Sequence, residues 1–194
     1  PIFNMNEERL KTITLKFIKN TKFELSKSFG NANITQLKKK REQCGTTIYV
    51  ETLAKNYVFI SKNDILTKAV TLIHELGHAR VCDIKKTSTR SKYFNEVYPK
   101  FLELVFSDYL IANGLEKHGH NVKVRLLNEI KYHISEIVKY DKNGQSFFAA
   151  YNYNVIKDNI LACYLYMKYK ENSNYILNKL DEFIDGLGKK NEEE

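Results

Sequence analysis

Apolar residues recur along most of the chain at the three- and four-residue spacing of amphipathic helices. The first such segment covers about residues 5–28 and is opened by Asn4 and Glu7, which together resemble a capping box. The polar residues 30–45 predict a loop. Further helices are predicted over about 64–82, 92–113, 121–140, 145–170 and 175–184.

Two short runs rich in β-branched and aromatic residues interrupt the helical pattern. They cover residues 46–51 and 57–61, and the polar stretch between them is typical of a β-hairpin. The sequence contains no internal repeat and no linker-like segment. We therefore expect a single domain over residues 1–194, mainly α with a small β-hairpin, which is an α+β fold.

The formal net charge of +8 raises the question of a nucleic-acid partner. The basic residues are mostly lysines scattered along the chain, however, and the main basic run is at residues 38–41. A scattered excess of lysine is typical of a general compositional bias. A basic nucleic-acid-binding module therefore remains an alternative that the charge alone does not favour.

The cysteines and the length of the apolar runs indicate the cellular compartment in which the protein resides. Cys44, Cys82 and Cys163 are odd in number and contain no C-x-x-C pair, which is typical of reduced thiols in the cytoplasm. No apolar run approaches the roughly 18 residues of a membrane span. The sequence thus predicts a cytoplasmic protein without a membrane partner.

The sequence His74-Glu75-Leu76-Gly77-His78 is an H-E-x-x-H motif inside a predicted helix. Side chains four residues apart on a helix are neighbours, with Cβ atoms about 5–6 Å apart, so the two imidazoles can converge on one cation. Imidazole nitrogen suits zinc, and Glu75 is placed to take a proton from a water activated by the metal.

The surroundings of the motif predict a buried helix with one flank along a cleft. The two histidines lie at the edge of a wide apolar arc, and Glu75 lies on the polar side. Gly77 is unfavourable in a helix interior by about 1 kcal/mol relative to alanine. We therefore expect Gly77 to permit a close approach of another backbone.

A catalytic zinc site usually has three protein ligands, so a third ligand is needed. Glu96 and Glu103 are the candidates, because they lie seven residues apart in a strongly apolar segment. Carboxylates in such surroundings are rarely left unpaired. Pro99 predicts that the helix carrying them is kinked or begins close to that residue.

These residues together resemble a known family of zinc peptidases. Residues 71–79 read TLIHELGHA, and residues 96–110 carry a glutamate, a second glutamate seven residues later, and then Asp-Tyr-Leu. Both segments are similar to those of the thimet oligopeptidase and oligoendopeptidase F family. Residues 40–41, 57–60 and 151–169 resemble further stretches of the same family.

The resemblance implies a zincin-like metallopeptidase catalytic core with one Zn²⁺ ion. His74, His78 and Glu96 would be the metal ligands, Glu75 the general base, and Glu103 the group that orients a ligand histidine. Tyrosines from the region of Tyr151 and Tyr153 would stabilise the oxyanion. Because these two alternate along a helix, at most one of them should face the metal.

The expected function is hydrolysis of peptide bonds, with oligopeptides as substrates. The resemblance does not extend to the family's large amino-terminal helical half, so a preceding domain or a partner chain could complete the molecule. The family's histidine before the tyrosine pair also has no counterpart near residues 145–148. A zinc-binding remnant or half-domain without activity is therefore a second alternative.

Overall fold

The computed structural model describes residues 5–38, 44–87, 95–142 and 146–186. Helices dominate these ranges, and a small sheet lies near the amino-terminal end of the chain, so the predicted α+β class is confirmed. Most of the basic run, residues 39–41, lies outside the described residues. The elements are α1 (Met5–Asn20), α2 (Leu25–Asn31), β1 (Asn33–Gln36), β2 (Gly45–Val50), a 3₁₀ turn (Glu51–Leu53), β3 (Lys55–Ile60), α3 (Ile65–Lys85), α4 (Val97–Ala112), α5 (Glu116–Lys142), α6 (Ser146–Glu171) and α7 (Ser173–Gly186).

The predicted hairpin is present as β2 and β3, which pair in antiparallel orientation with Thr47 opposite Val58. The expectation that residues 30–45 form only a loop is wrong, because β1 lies there and pairs with β3 in parallel orientation. The strand order is therefore β1-β3-β2. All four residues of β1 are exposed, so the strand has no alternating apolar pattern that the sequence could reveal.

The single helix expected over residues 5–28 is also wrong, because the chain turns between α1 and α2. Glu24 has a left-handed backbone conformation with φ of 52°, which starts α2 in a new direction. The turn buries Phe23 against Phe17, Phe101 and Tyr169. Burial of one aromatic ring thus outweighs continuation of the helix.

Helix α5 begins five residues earlier than the sequence predicts and includes His118 and His120. Gly119 lies between them, where a Cβ atom would stand 2.5 Å from the Ser107 carbonyl oxygen of α4. A helical glycine at this position lets the two helices approach closely. Gly119 therefore serves the packing of α5 against α4.

Helix α4 is the centre of the core and packs against α1, α3, α5 and α6. It begins at Val97, so Pro99 lies in its first turn, where a missing N–H leaves no helical hydrogen bond unmade. Among the residues that the structure describes, no helix has both the length and the apolar character needed to cross a bilayer. The largest fully buried side chains are Tyr98, Phe17, Phe101, Phe106, Leu10, Ile18, Leu25, Ile73, Leu76, Leu102, Leu110 and Ile184.

Candidate metal centre

Helix α3 carries the H-E-x-x-H motif through the middle of the molecule. Its start is capped by Asp64, whose carboxylate accepts a 2.9 Å hydrogen bond from the Thr67 backbone N–H. The middle of the helix is buried, and Glu75 and His78 lie in this buried part. A buried helix holds its side chains in fixed positions, which a metal site requires.

Gly77 is the point at which α3 meets α4. A Cβ atom at Gly77 would lie 2.9 Å from the Pro99 Cα atom, so only glycine allows this approach. The expected close backbone contact is confirmed. Because Pro99 lies between Glu96 and Glu103, the contact brings both carboxylates to the histidines of α3.

His74, His78 and Glu96 converge on one point. The two Nε2 atoms lie 3.1 Å apart, and the Glu96 carboxylate oxygens lie 3.1 Å from His74 Nε2 and 3.4 Å from His78 Nε2. All three candidate ligand atoms fall within 4.8 Å of one another. The structure therefore brings together the three residues that the sequence predicts as metal ligands.

The spacing of these atoms fits a tetrahedral metal ion. Atoms about 2.0–2.1 Å from such an ion lie roughly 3.3 Å from one another. The two Nε2 atoms are 3.1 Å apart, and each lies close to this spacing, at 3.1 or 3.4 Å, from a different oxygen of the Glu96 carboxylate. Two imidazoles and one carboxylate are also a donor set that zinc accepts at hydrolytic sites, with a fourth position left for water. The residues present thus fit a zinc ion.

Glu103 holds His74 from the other side of the ring. Its Oε1 atom lies 2.7 Å from His74 Nδ1. A carboxylate can only accept, so Nδ1 carries the proton in this pair and Nε2 faces the metal position. Glu103 is in turn 3.4 Å from Lys100 Nζ, which donates a 2.7 Å hydrogen bond to Glu129 of α5. The orienting carboxylate is thus itself fixed by a cation.

Hydrogen bonds and ion pairs determine which groups of this cluster are charged. Burial opposes a charged His74, but hydrogen bonds to Glu103 and Glu96 outweigh burial and raise its pKa to about 10. Burial also opposes a charged Glu103, yet Lys100 and His74 lower its pKa to about 2. For Glu96, hydrogen bonds from His74 and His78 outweigh burial and hold its pKa far below its usual range. Both glutamates are therefore carboxylates at neutral pH, and their field stabilises a cation at the Nε2 position.

Glu75 points towards the sheet and is held there by strand β2. The Thr47 hydroxyl lies 2.7 Å from Glu75 Oε2 and 3.0 Å from the Glu75 backbone oxygen, and it can donate to either. A Cβ atom at Gly45 would stand 2.7 Å from Glu75 Oε1 and 2.5 Å from the Thr71 methyl group. The start of β2 therefore lies directly against the carboxylate, and Glu75 lines the same cavity as the ligand residues.

The backbone at Glu96 is also anchored. Its N–H donates a 3.1 Å hydrogen bond to Asp158 of α6. Helix α4 begins at the next residue, so Asp158 fixes the end of the helix from which the Glu96 side chain extends. The third ligand is therefore positioned by a second helix and not by its own helix alone.

Two adjoining cavities open at the cluster. The first, of about 320 Å³, is lined by all three ligand residues and by Glu75, Glu103 and Arg125. The second, of about 390 Å³, shares His74, Glu96, Lys100 and Glu129 with the first. The point on which the three ligand residues converge therefore borders both cavities.

The structure separates the two candidate tyrosines. Tyr151 lines the second cavity together with His74 and Glu96, and its ring contacts His133. Tyr153 is 62% exposed and lines neither of the two cavities at the cluster. Of the two tyrosines, Tyr151 is therefore the one that lines a cavity at the cluster.

Thr47, Lys100 and Glu129 are among the residues of the site that were not predicted from the sequence. Lys100 gives a weak signal, since it lies three residues before Glu103 and hence on the same helix face. Thr47 and Glu129 reach the site only through packing of β2 and α5 against the motif helix and α4. Their positions along the chain carry no such signal.

Comparison of the chain with family models, with curated proteins and with solved structures finds no match. The geometry of the site is therefore the basis for the function considered below.

Proposed function

We propose that this protein is a zinc-dependent metallopeptidase with a zincin-like catalytic core, similar to that of the oligoendopeptidase F family. The observation that carries the proposal is the convergence of His74, His78 and Glu96 beside Glu75 in an accessible cavity. Two histidines and a carboxylate with an adjacent unligated glutamate form the donor set and base of a hydrolytic zinc site. The substrate class is peptides.

His74, His78 and Glu96 would hold one Zn²⁺ ion, which supplies Lewis-acid activation of water and of the substrate carbonyl. Glu75 takes a proton from the attacking water as the C–O bond forms. It returns that proton to the amine nitrogen as the C–N bond breaks, so no covalent intermediate with the protein forms. Glu103 keeps His74 oriented, and the Tyr151 hydroxyl donates to the oxyanion.

The proposal also covers the cellular location of the protein and its partners. No disulfide joins Cys44, Cys82 and Cys163, which all lie within the described ranges. Reduced thiols support a cytoplasmic location. For nucleic acid, by contrast, we find no support at the site: Lys100 and Arg125 are the basic residues that line the two described cavities, and Lys100 is held by Glu103 and Glu129, so these cavities offer no basic stripe to a phosphate backbone.

The test is hydrolysis of a mixed set of quenched-fluorescent peptides by the zinc-loaded protein. Glu75→Gln keeps the three ligands and removes the base, so cleavage should fall by about a thousandfold. Glu116→Gln, at an exposed position on α5, is the matched control and should leave cleavage unchanged.

Zinc content is measured on the same samples. Equal zinc in all three proteins with cleavage lost only in Glu75→Gln supports the peptidase. Equal zinc with no Glu75-dependent cleavage in any protein would reject the peptidase in favour of the second candidate, an inactive zinc-binding remnant or half-domain. The absence of zinc from the unmodified protein would reject both.

A further inference from the structure

The two cavities at the cluster adjoin along helix α5, since they share His74, Glu96, Lys100 and Glu129 as lining residues. Arg125 and Glu129 of this helix line the first cavity, and Glu129 and His133 line the second. His74 and Glu96 line both, so the metal position lies between Arg125 at one end and His133 at the other. We call this surface the α5 trough.

The length of the α5 trough suits a short stretch of peptide. Arg125 and His133 are eight residues apart on a helix, which corresponds to about 12 Å at about 1.5 Å per residue. An extended peptide advances about 3.3 Å per residue, so roughly four residues fit between the two ends. A chain lying in the trough would pass the metal position and have one end near Arg125.

Arg125 has hydrogen-bonding capacity that the fold does not use. The other cation of the trough, Lys100, is held between Glu103 and Glu129. Arg125 is exposed and donates one hydrogen bond of 3.1 Å, to the Thr67 hydroxyl. Within the part of the chain that the structure describes, no carboxylate lies within ion-pair distance of its guanidinium.

The nearby acid Asp64 is already engaged. Its two carboxylate oxygens accept hydrogen bonds from the Thr67 backbone N–H and from the Thr67 hydroxyl. The hydroxyl thus links Asp64 to Arg125 and holds the guanidinium at the edge of the first cavity. A guanidinium has five N–H donors in a planar fork, so a carboxylate entering the trough could be bound by two of them.

We propose that Arg125 is a specificity-determining residue that binds a carboxylate of the peptide substrate at one end of the α5 trough. This inference rests on the proposed peptidase function and adds to it a preference for acidic groups. The carboxylate is either the free carboxyl terminus or an acidic side chain, and both offer the same bidentate partner to arginine.

Binding is measured first, by fluorescence anisotropy with the zinc-loaded Glu75→Gln protein, which keeps peptides intact. The probes are amino-terminally labelled hexa-alanine ending in a carboxylate, the same peptide ending in a carboxamide, and a carboxamide peptide with one alanine replaced by glutamate. At least one acidic probe should bind about tenfold more tightly than neutral hexa-alanine carboxamide, as expected for a charge-assisted pair.

Arg125→Gln, added to the Glu75→Gln protein, should abolish this difference, and Arg125→Lys should retain part of it. Lys131→Gln removes one positive charge from an exposed position of the same helix outside both cavities and should leave the difference intact. Tighter binding of the peptide with a free carboxyl terminus assigns the site to a terminal carboxylate. Tighter binding of the peptide that contains glutamate assigns the site to an acidic side chain.

Equal binding of all three probes, or a preference that persists in Arg125→Gln, would overturn the inference. Cleavage by the parent enzyme separates this result from failure of the peptidase itself. Glu75-dependent cleavage without an acidic preference refutes only the role of Arg125. An Arg125-dependent preference without any cleavage refutes only the peptidase.

Discussion

Helix α3 carries two polar clusters with opposite character. In the first, His74, His78 and Glu96 direct their ligand atoms at one another across about 3 Å. In the second, two residues after His78, the Arg80 side chain is buried and its Nη2 atom lies 2.8 Å from Asp181 and 3.0 Å from Glu24. In the first cluster, three possible metal ligands face one point. In the second cluster, one buried cation is paired with two carboxylates from other segments of the chain.

The comparison indicates that helix α3 carries one cluster suited to binding a metal and another that stabilises the fold. The Arg80 cluster joins α3 to α7 and to the start of α2, so its charges are matched within the fold. The histidine cluster instead directs two ring nitrogens and a carboxylate at one point, where they favour positive charge. Mutations in the two clusters should therefore change different measured properties.

The largest expected effect is on stability, in the double variant Asp181→Asn with Glu24→Gln. These changes leave the buried Arg80 guanidinium without an acidic partner. The free energy of unfolding, measured by urea denaturation, should fall by about 2 kcal/mol, because Arg80 is buried while both carboxylates are partly screened by solvent. Zinc affinity and cleavage per folded molecule should be unchanged. A parallel loss of zinc affinity would show that the two clusters are not independent.

A smaller effect is expected from Glu103→Gln, which leaves the three ligands in place. The neutral amide oxygen accepts a weaker hydrogen bond from His74 Nδ1–H and no longer neutralises Lys100, so zinc affinity should fall about 10- to 100-fold. Competition with a chromophoric chelator measures this, with Glu116→Gln as the control. An unchanged affinity would mean that Glu103 serves only as the partner of Lys100.

The smallest effect is expected from Thr47→Val, which removes the hydroxyl beside Glu75 and keeps the shape of the side chain. Glu75 then loses its 2.7 Å contact and samples other positions, so kcat should fall about tenfold with little change in KM. Thr47→Ser keeps the hydroxyl and should restore most of kcat. If Thr47→Val and Thr47→Ser have equal kcat values, Thr47 does not position Glu75.

The sequence predicted those parts of the site that depend on local spacing. His74, Glu75 and His78 lie on one turn of helix, and Gly77 signalled a close backbone contact that proved to be with Pro99. Glu96 and Glu103 both stood out as carboxylates in apolar surroundings, and the family resemblance gave the ligand role to Glu96. These features need only helical periodicity and the cost of burying charge.

Other parts depend on contacts between distant segments, and the sequence did not predict them. Strand β1 is polar and exposed and exists because β3 offers it hydrogen bonds. Thr47 meets Glu75 across 28 residues, and Lys100 meets Glu129 across 29. The sequence also did not distinguish Tyr151 from Tyr153, since only the packing of α6 shows that Tyr151 lies at the cavity.

The most direct test of the central claim is a crystal structure of the zinc-loaded protein, with anomalous scattering recorded on both sides of the zinc absorption edge. We predict one anomalous peak about 2.0–2.1 Å from the Nε2 atoms of His74 and His78 and at a similar distance from a Glu96 carboxylate oxygen. The peak should vanish below the edge. An anomalous peak at other residues, or none at this cluster in the presence of excess zinc, would contradict the account.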